Sequence, residues 1–324
     1  MRKIPLAVVG AGQFGGNHVR VVRESARAEL AAVVDTDRGR AEAAAEGCIA
    51  LTDYRDLRER VHAAIVATPT ILHSEIGCEL MRAGIDVLIE KPIAPDLESA
   101  DVLCNTAREY GRILQVGHLE RFNPAVTALE QIVNHPLFFE IHRMNLFSPR
   151  SLDVDIVLDL MIHDLDIVLS LTGAEPEEIR AAGVSILSDK VDIGNVRLQF
   201  AGGCVANLTA SRVSTERVRK LRFFQPRQYI SIDYGRQDVL VFTVGNQEGG
   251  TPTVNPQIGM TKPSVVTQEP LLAELVSFLD ALRRKSAPDV PLDDGRKALA
   301  LALDIVAKIQ QHGSRVRLEQ LIRP

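Results

Sequence analysis

Ile4-Pro5-Leu6-Ala7-Val8-Val9-Gly10-Ala11-Gly12-Gln13-Phe14-Gly15 is an apolar run that ends in a glycine turn and opens onto a helix-compatible stretch. A strand, a glycine turn and a helix N-terminus in that order build a pyrophosphate cradle. Gly10 permits the tight turn, Gly12 lets the backbone approach the phosphates, and Gly15 lets helix and strand pack closely. Gln13 and Phe14 sit between them, at the mouth of the turn. Glycine turns are common, so the triplet alone is a weak signal. Its weight comes from a second apolar run, Leu30 to Val34, which ends in Asp35, 20 residues beyond Gly15. A carboxylate there accepts hydrogen bonds from ribose hydroxyls and repels a 2′-phosphate. The stretch therefore predicts dinucleotide binding, with NAD favoured over NADP; Arg38, close by, keeps NADP open.

Bulk properties set the outer limits. The chain has 324 residues, enough for two domains, with 46% hydrophobic and 24% charged residues, as in ordinary globular proteins. A net charge of −5 gives no general attraction to nucleic acid or to a membrane surface. No uncharged apolar stretch approaches the roughly 20 residues that cross a bilayer, and the first apolar run is too short for a signal-peptide core. Cys48, Cys78, Cys104 and Cys204 are widely spaced and form no C-x-x-C pair, as expected of isolated thiols in a reducing compartment. A cytoplasmic location is expected.

The first 120 residues alternate strand-like runs (Leu30–Val34, Ala63–Ala67, Val87–Ile89, Ile113–Val116) with helical stretches such as Asp37–Glu46 and Leu97–Tyr110. That alternation predicts an α/β domain, residues 1–120, with a parallel sheet covered by helices on both faces. Ligands on such sheets sit beyond the carboxyl ends of the strands. From about Phe138 strand-like segments dominate: Phe139–Leu146, Glu178–Ile186, Asn195–Phe200, Cys204–Ala210, Leu221–Phe224, Tyr229–Asp233 and Val239–Val244. These predict a mostly antiparallel sheet in a second domain, residues 121–324, with one face covered and the other free for ligand or a second subunit. A strongly apolar helix, about Ile156 to Leu171, interrupts them. Residues 245–267 read as a long loop. Two helices, Leu271–Arg284 and about Asp294–Gln311, close the chain, the second with Asp293 or Asp294 as N-cap. These C-terminal helices can pack back on the first domain.

Chemistry-bearing residues gather after the strands. Lys91 follows a strand between Glu90 and Pro92. It is either a solvated surface charge or, beside a nicotinamide, a group that stabilises the alkoxide forming as hydride leaves carbon. In the apolar helix, Asp159 and His163 lie four apart on one face, with Asp166 three further on. A carboxylate beside an imidazole fixes its tautomer and raises its basicity, which suits a general base. A structural Asp–His pair is the plainer alternative. A metal site is a third, but no third ligand has a recognisable spacing, so no metal is expected. Asp164 faces elsewhere and receives no role. His118, Arg121 and Asn123 follow another strand; they read either as substrate-binding groups, with Arg121 for a phosphate or carboxylate, or as a helix-capping turn. The basic cluster Arg212, Arg217, Arg219, Lys220 and Arg222 is a solvated strand edge or a diphosphate site.

The glycine turn, Thr68-Pro69-Thr70 with His73, Glu90-Lys91-Pro92 and Asp159-x-x-x-His163 together resemble the Gfo/Idh/MocA oxidoreductases over essentially the whole chain. The resemblance implies a Rossmann domain followed by an α/β domain with a large, open, mostly antiparallel sheet, and assembly into homodimers or homotetramers through that sheet. It implies catalysis by Lys91, Asp159 and His163, and a cofactor site lined by Thr68, Pro69, His73 and Glu90. Residues 117–125 and 159–164 are similar to a bacterial branch that oxidises the 3-hydroxyl of UDP-N-acetylglucosamine. Rival readings are dehydrogenation of a free sugar, an inositol or a non-sugar, and a non-catalytic cofactor-binding protein. Lys91, Asp159 and His163 together argue against the last.

Overall fold

The computed structural model describes residues 2–147, 154–245 and 258–315. Two compact units comprise residues 1–122 with 268–300, and residues 123–267 with 301–324.

In the first unit six parallel strands form one sheet in the order β3-β2-β1-β4-β5-β6. They are β1 (Ile4–Val9), β2 (Ala28–Val34), β3 (Ile49–Leu51), β4 (Ala63–Val66), β5 (Asp86–Glu90) and β6 (Leu114–Gly117). Helices α1 (Gln13–Glu24), α2 (Arg38–Ala45), α3 (His73–Arg82) and α4 (Leu97–Glu109) make the crossovers. The strand order reverses direction at β1, with β2 on one side and β4 on the other. That is the switch point where such sheets bind ligands. Leu6 and Val8 of β1, Val19 and Val22 of α1 and Val33 of β2 are buried in one apolar cluster.

The second unit begins with α5 (Pro124–Thr127) and is built on an eight-stranded sheet, ordered β14-β13-β12-β11-β7-β10-β9-β8. Its strands are β7 (Phe138–Leu146), β8 (Pro176–Val184), β9 (Ile193–Phe200), β10 (Val205–Ser214), β11 (Val218–Gln225), β12 (Gln228–Asp233), β13 (Asp238–Val244) and β14 (Ile258–Thr261). Only β7 and β10 pair in parallel; the other neighbours are antiparallel. Along β9 buried residues alternate with exposed ones, so one face is covered and the other open. The helical segment at 157–172, which ends in α6 (Ile162–Thr172), lies between β7 and β8 in the chain. Helix α7 (Pro270–Arg284) buries Leu275, Phe278 and Leu279 in the same cluster as β1 and α1. Helix α8 (Leu292–Arg315) is the last element among the described residues; a Cβ on Gly183 of β8 would lie 2.7 Å from its Ile309.

Several sequence readings shift. The apolar helix opens as a π turn, Val157–Met161, and becomes α-helical only from Ile162. Of the 245–267 loop, residues 246–257 lie outside the described residues, and Ile258–Thr261 forms an edge strand. Asp293 and Asp294 occupy the first turn of α8, which begins at Leu292, rather than capping it. No helix among the described residues is long and apolar enough to cross a membrane.

Candidate active site

In the first unit, parallel pairing brings the carboxyl ends of β1, β2, β4, β5 and β6 to one edge, so the loops after them share it. A cleft of about 470 Å³ opens there, lined by Gly10, Gly12, Asp35, Thr36, Arg40, Thr68 and Pro69 among others. Gly10 adopts φ +97°, and a Cβ on it would lie 2.5 Å from the Ala67 carbonyl oxygen. A Cβ on Gly15 would run into the Gly10 carbonyl oxygen. At Gly12 a Cβ would meet nothing within 4 Å, so the backbone is open to a ligand. Helix α1 starts at this point with no side chain capping Gly12, so first-turn N–H groups face the opening. Phe14 stays 58% exposed beside it. Glycine turn, uncapped helix start and cleft suit a dinucleotide pyrophosphate.

Asp35 ends β2. Its carboxylate accepts from the Ala11 N–H (2.8 Å), the Asp37 N–H (2.9 Å) and the Arg40 guanidinium (3.0 Å). Burial pushes this carboxyl up, but the two backbone donors and Arg40 outweigh burial and hold it below the usual range. Arg38 instead pairs with Glu42 at the surface, 3.5 Å away. The cation that meets Asp35 is therefore Arg40, which the sequence reading passed over. Thr68 brings a buried hydroxyl oxygen with no hydrogen-bond partner among the described residues to the cleft.

His73 ties two of these loops together. Its ring nitrogens lie 2.9 Å from the Pro92 carbonyl and 2.9 Å from the Thr68 carbonyl. Burial lowers its pKa, against the pull of those two carbonyls. Glu90 ends β5, and the Lys91–Pro92 bond that follows is cis. The Glu90 carboxylate lies 2.7 Å from His18 Nε2 of α1 and accepts from the Lys91 backbone N–H at 3.3 Å. Burial raises the Glu90 pKa, but His18 and the Lys91 charge together bring it below the ordinary value. A Cβ on Gly117 would sit 3.2 Å from Glu90 Oε2, so glycine there makes room for this side chain.

His118 and Arg121 follow β6 as a capping turn: the Arg121 N–H donates to the His118 carbonyl at 3.0 Å. The His118 imidazole is fully buried, and burial, helped by the charges of Arg121 and Lys91, pushes its pKa down to about 3. The Arg121 guanidinium reaches Asp294 and the Asp289 carbonyl, each at 3.5 Å. Asn123, in the second unit, caps α5 by accepting from the Ala125 N–H (3.1 Å) and donates to the Tyr234 carbonyl (3.0 Å). Arg121 and Asn123 thus each have partners within their own unit.

In the second unit Asp155 caps the π turn by accepting from the Val157 N–H at 3.0 Å. A π turn carries one extra residue per turn, and such turns concentrate at functional sites. Asp159 lies within it and His163 just after it, four apart and on one face; both are half-buried. Asp164, given no role from sequence, makes a buried two-point pair with Arg143 of β7, at 2.7 and 2.8 Å. The Arg143 guanidinium also lies 5.2 Å from the Tyr234 ring centroid. This clamp fixes the first turn of α6, the turn that presents His163. Its signal in the sequence was a second acid in an apolar helix. The basic cluster dissolves: Arg212 is buried beside Asp192 at 3.7 Å, and strand alternation turns Arg219 away from Lys220 and Arg222.

Comparison with known proteins agrees with this geometry. Residues 4–118 match the family described as oxidoreductase family, NAD-binding Rossmann fold, and residues 135–230 match the GFO/IDH/MocA C-terminal domain. The chain is 37% identical over 306 residues to a UDP-N-acetylglucosamine 3-dehydrogenase of Acidithiobacillus ferrooxidans, covering 94% of this chain and 96% of that one. A solved structure of a UDP-N-acetylglucosamine 3-dehydrogenase from the same organism superimposes with a TM-score of 0.88 at 33% identity, over 96% and 99% of the two chains. An inositol 2-dehydrogenase of Rhizobium meliloti is 28% identical over 319 residues, 92% of this chain and 94% of that one. The chain belongs to the Gfo/Idh/MocA oxidoreductase family. It is an NAD-binding oxidoreductase whose first unit is the cofactor domain.

Proposed function

We propose that the protein oxidises the 3-hydroxyl of UDP-N-acetylglucosamine to the 3-keto sugar, with NAD as hydride acceptor. The observation that carries this reading is the 37% identity to a UDP-N-acetylglucosamine 3-dehydrogenase along 94% of the chain. Gly10, Gly12, Gln13, Phe14, Gly15, Asp35, Thr68, Pro69 and Glu90 hold the cofactor, and His73 supports it through the two loops it joins. NAD, when bound, supplies the hydride acceptor. His163 takes the hydroxyl proton as the C3–H bond breaks and the carbonyl forms, and Asp159 keeps the imidazole in the tautomer that can accept it. The Lys91 ammonium stabilises the negative charge that develops on the same oxygen. His118, a buried neutral imidazole, offers the substrate side a polar wall without charge. By the same reading the protein acts as a homodimer or homotetramer.

The test is NADH absorbance on mixing the protein with NAD and UDP-N-acetylglucosamine, with an aminotransferase and its amino donor present to remove the ketone. NADH should accumulate with the nucleotide-sugar and not with free N-acetylglucosamine. Equal turnover of the free sugar, or turnover of an inositol alone, would defeat the nucleotide-sugar assignment.

A further inference from the structure

Helix α7 carries one acid in its apolar half, Glu274, between Leu271 and Phe278. Its residue is 0% exposed, and neither carboxyl oxygen has a hydrogen-bond partner among the described residues. It is not isolated from other ionisable groups. A Glu274 oxygen, a Glu90 oxygen and a His18 ring nitrogen all lie within 4.8 Å of one another. Within the first unit, α1 brings His18, β5 brings Glu90 with Lys91 after it, and β6 brings Gln115, whose amide donates to the Glu274 backbone carbonyl at 3.2 Å. Arg20 of α1 is occupied by Glu269 just before α7, and His118 beyond β6 is held neutral. Both His18 and the Lys91 charge act on Glu90.

Two buried carboxylates this close cannot both ionise cheaply, because each charge is desolvated and faces its like. Glu90 keeps the charge, since it is hydrogen-bonded to His18 at 2.7 Å and lies beside the Lys91 charge. Burial first, and the Glu90 charge second, raise the Glu274 carboxyl well above its ordinary value. The composition of the cluster also resembles a cation site. The 2.7 Å His18–Glu90 contact is a hydrogen bond, however, and occupies the lone pair an ion needs. We propose that Glu274 is a positioning residue held as the uncharged acid, which leaves Glu90 as the single buried anion shared by His18 and Lys91. This rests on the role of Lys91 given above. Uncharged, Glu274 sets no second negative charge beside Glu90, so that carboxylate stays ionised and keeps Lys91 anchored at the cofactor edge.

Two experiments separate the charge state from the role. An acid neutral in the fold but ionised in the unfolded chain weakens the native state increasingly as pH rises above about 4.3, the unfolded glutamate value. Glu274→Gln removes that loss, so its Tm advantage over the parent should grow by several degrees from pH 4.5 to pH 8. A Tm difference that stays flat across that range would mean Glu274 is ionised in the native protein, and would overturn the proposal without reference to any substrate. For the role, Glu274→Leu removes the polar group and Glu274→Gln keeps an uncharged polar group of the same shape. The leucine variant should move the acid limb of turnover upward in pH and weaken NADH binding about tenfold, and glutamine should restore both. If leucine and glutamine behave alike, the positioning role is wrong. NADH titration by fluorescence needs no substrate, so a failure of the nucleotide-sugar reading would show in turnover alone.

Discussion

The glycine turn at residues 10–15 and the turn at residues 157–164 are held in shape by opposite means. In the first the backbone does the work: side chains are absent where Ala67, the Gly10 carbonyl or a ligand must come close. In the second the side chains do it: an extra-wide helical turn, an Asp155 cap and a buried Arg143–Asp164 pair hold Asp159 and His163 in place. A backbone-built site tolerates no added carbon and little cares about charge. A side-chain-built site tolerates reshaping of its surface but not the loss of one charge.

That contrast can be broken first at the side chains. His163→Ala should lower turnover by about 10² to 10⁴, the usual worth of a general base, while NADH still binds. Lys91→Ala should cost about 10² to 10³ by removing charge stabilisation at the oxygen. Steady-state rates with retained NADH titration check both, and unaltered turnover in either variant removes that residue from the mechanism. Arg143→Leu leaves the Asp164 carboxylate buried and unpaired, and should cost about 3–5 kcal/mol in denaturant unfolding. Adding Asp164→Leu should recover most of it, whereas a single-variant loss under about 1 kcal/mol would mean the pair is not a clamp.

At the backbone site the comparison sharpens between two glycines. Gly15→Ala forces a methyl into the Gly10 carbonyl, so Tm should fall by several degrees even without cofactor. Gly12→Ala meets open space and adopts a φ of −68° that any residue accepts, so Tm should hold while the NADH Kd rises about tenfold. Equal thermal losses in both would erase the distinction drawn between them. The smallest effect is expected at Asp35→Asn: the NAD preference over NADP should narrow about tenfold, because Arg40 remains to meet a 2′-phosphate. A preference that does not move would take the selection away from Asp35.

The same contrast explains what could be read beforehand. Glycine spacing and period-2 or period-3.6 patterning are local, so the Rossmann sheet, the open second sheet and the glycine roles were legible along the chain. The three-residue β3 is too short to show a pattern, and the edge strand β14 is exposed throughout, so neither was seen. A π turn has no composition of its own, and it hid inside an apolar helix. His118, Arg121 and Asn123 looked like ligand-binding groups because a strand end and a polar triplet coincide there. Their partners Asp294, Asp289, Ala125 and Tyr234, which also tie Arg121 and Asn123 into the fold, are not legible there. Arg143 meets Asp164 from 21 residues away, and Glu274 meets Glu90 across most of the chain, distances at which one sequence carries no signal.

The most direct test of the central claim uses UDP-N-acetylglucosamine carrying deuterium at C3 of the sugar, incubated with the protein, NAD and the ketone-consuming aminotransferase. The account predicts that the deuterium passes to the nicotinamide and that turnover slows relative to the unlabelled sugar. Unlabelled NADH, with the deuterium retained in the product, would mean that the hydride comes from another carbon and would contradict oxidation at C3.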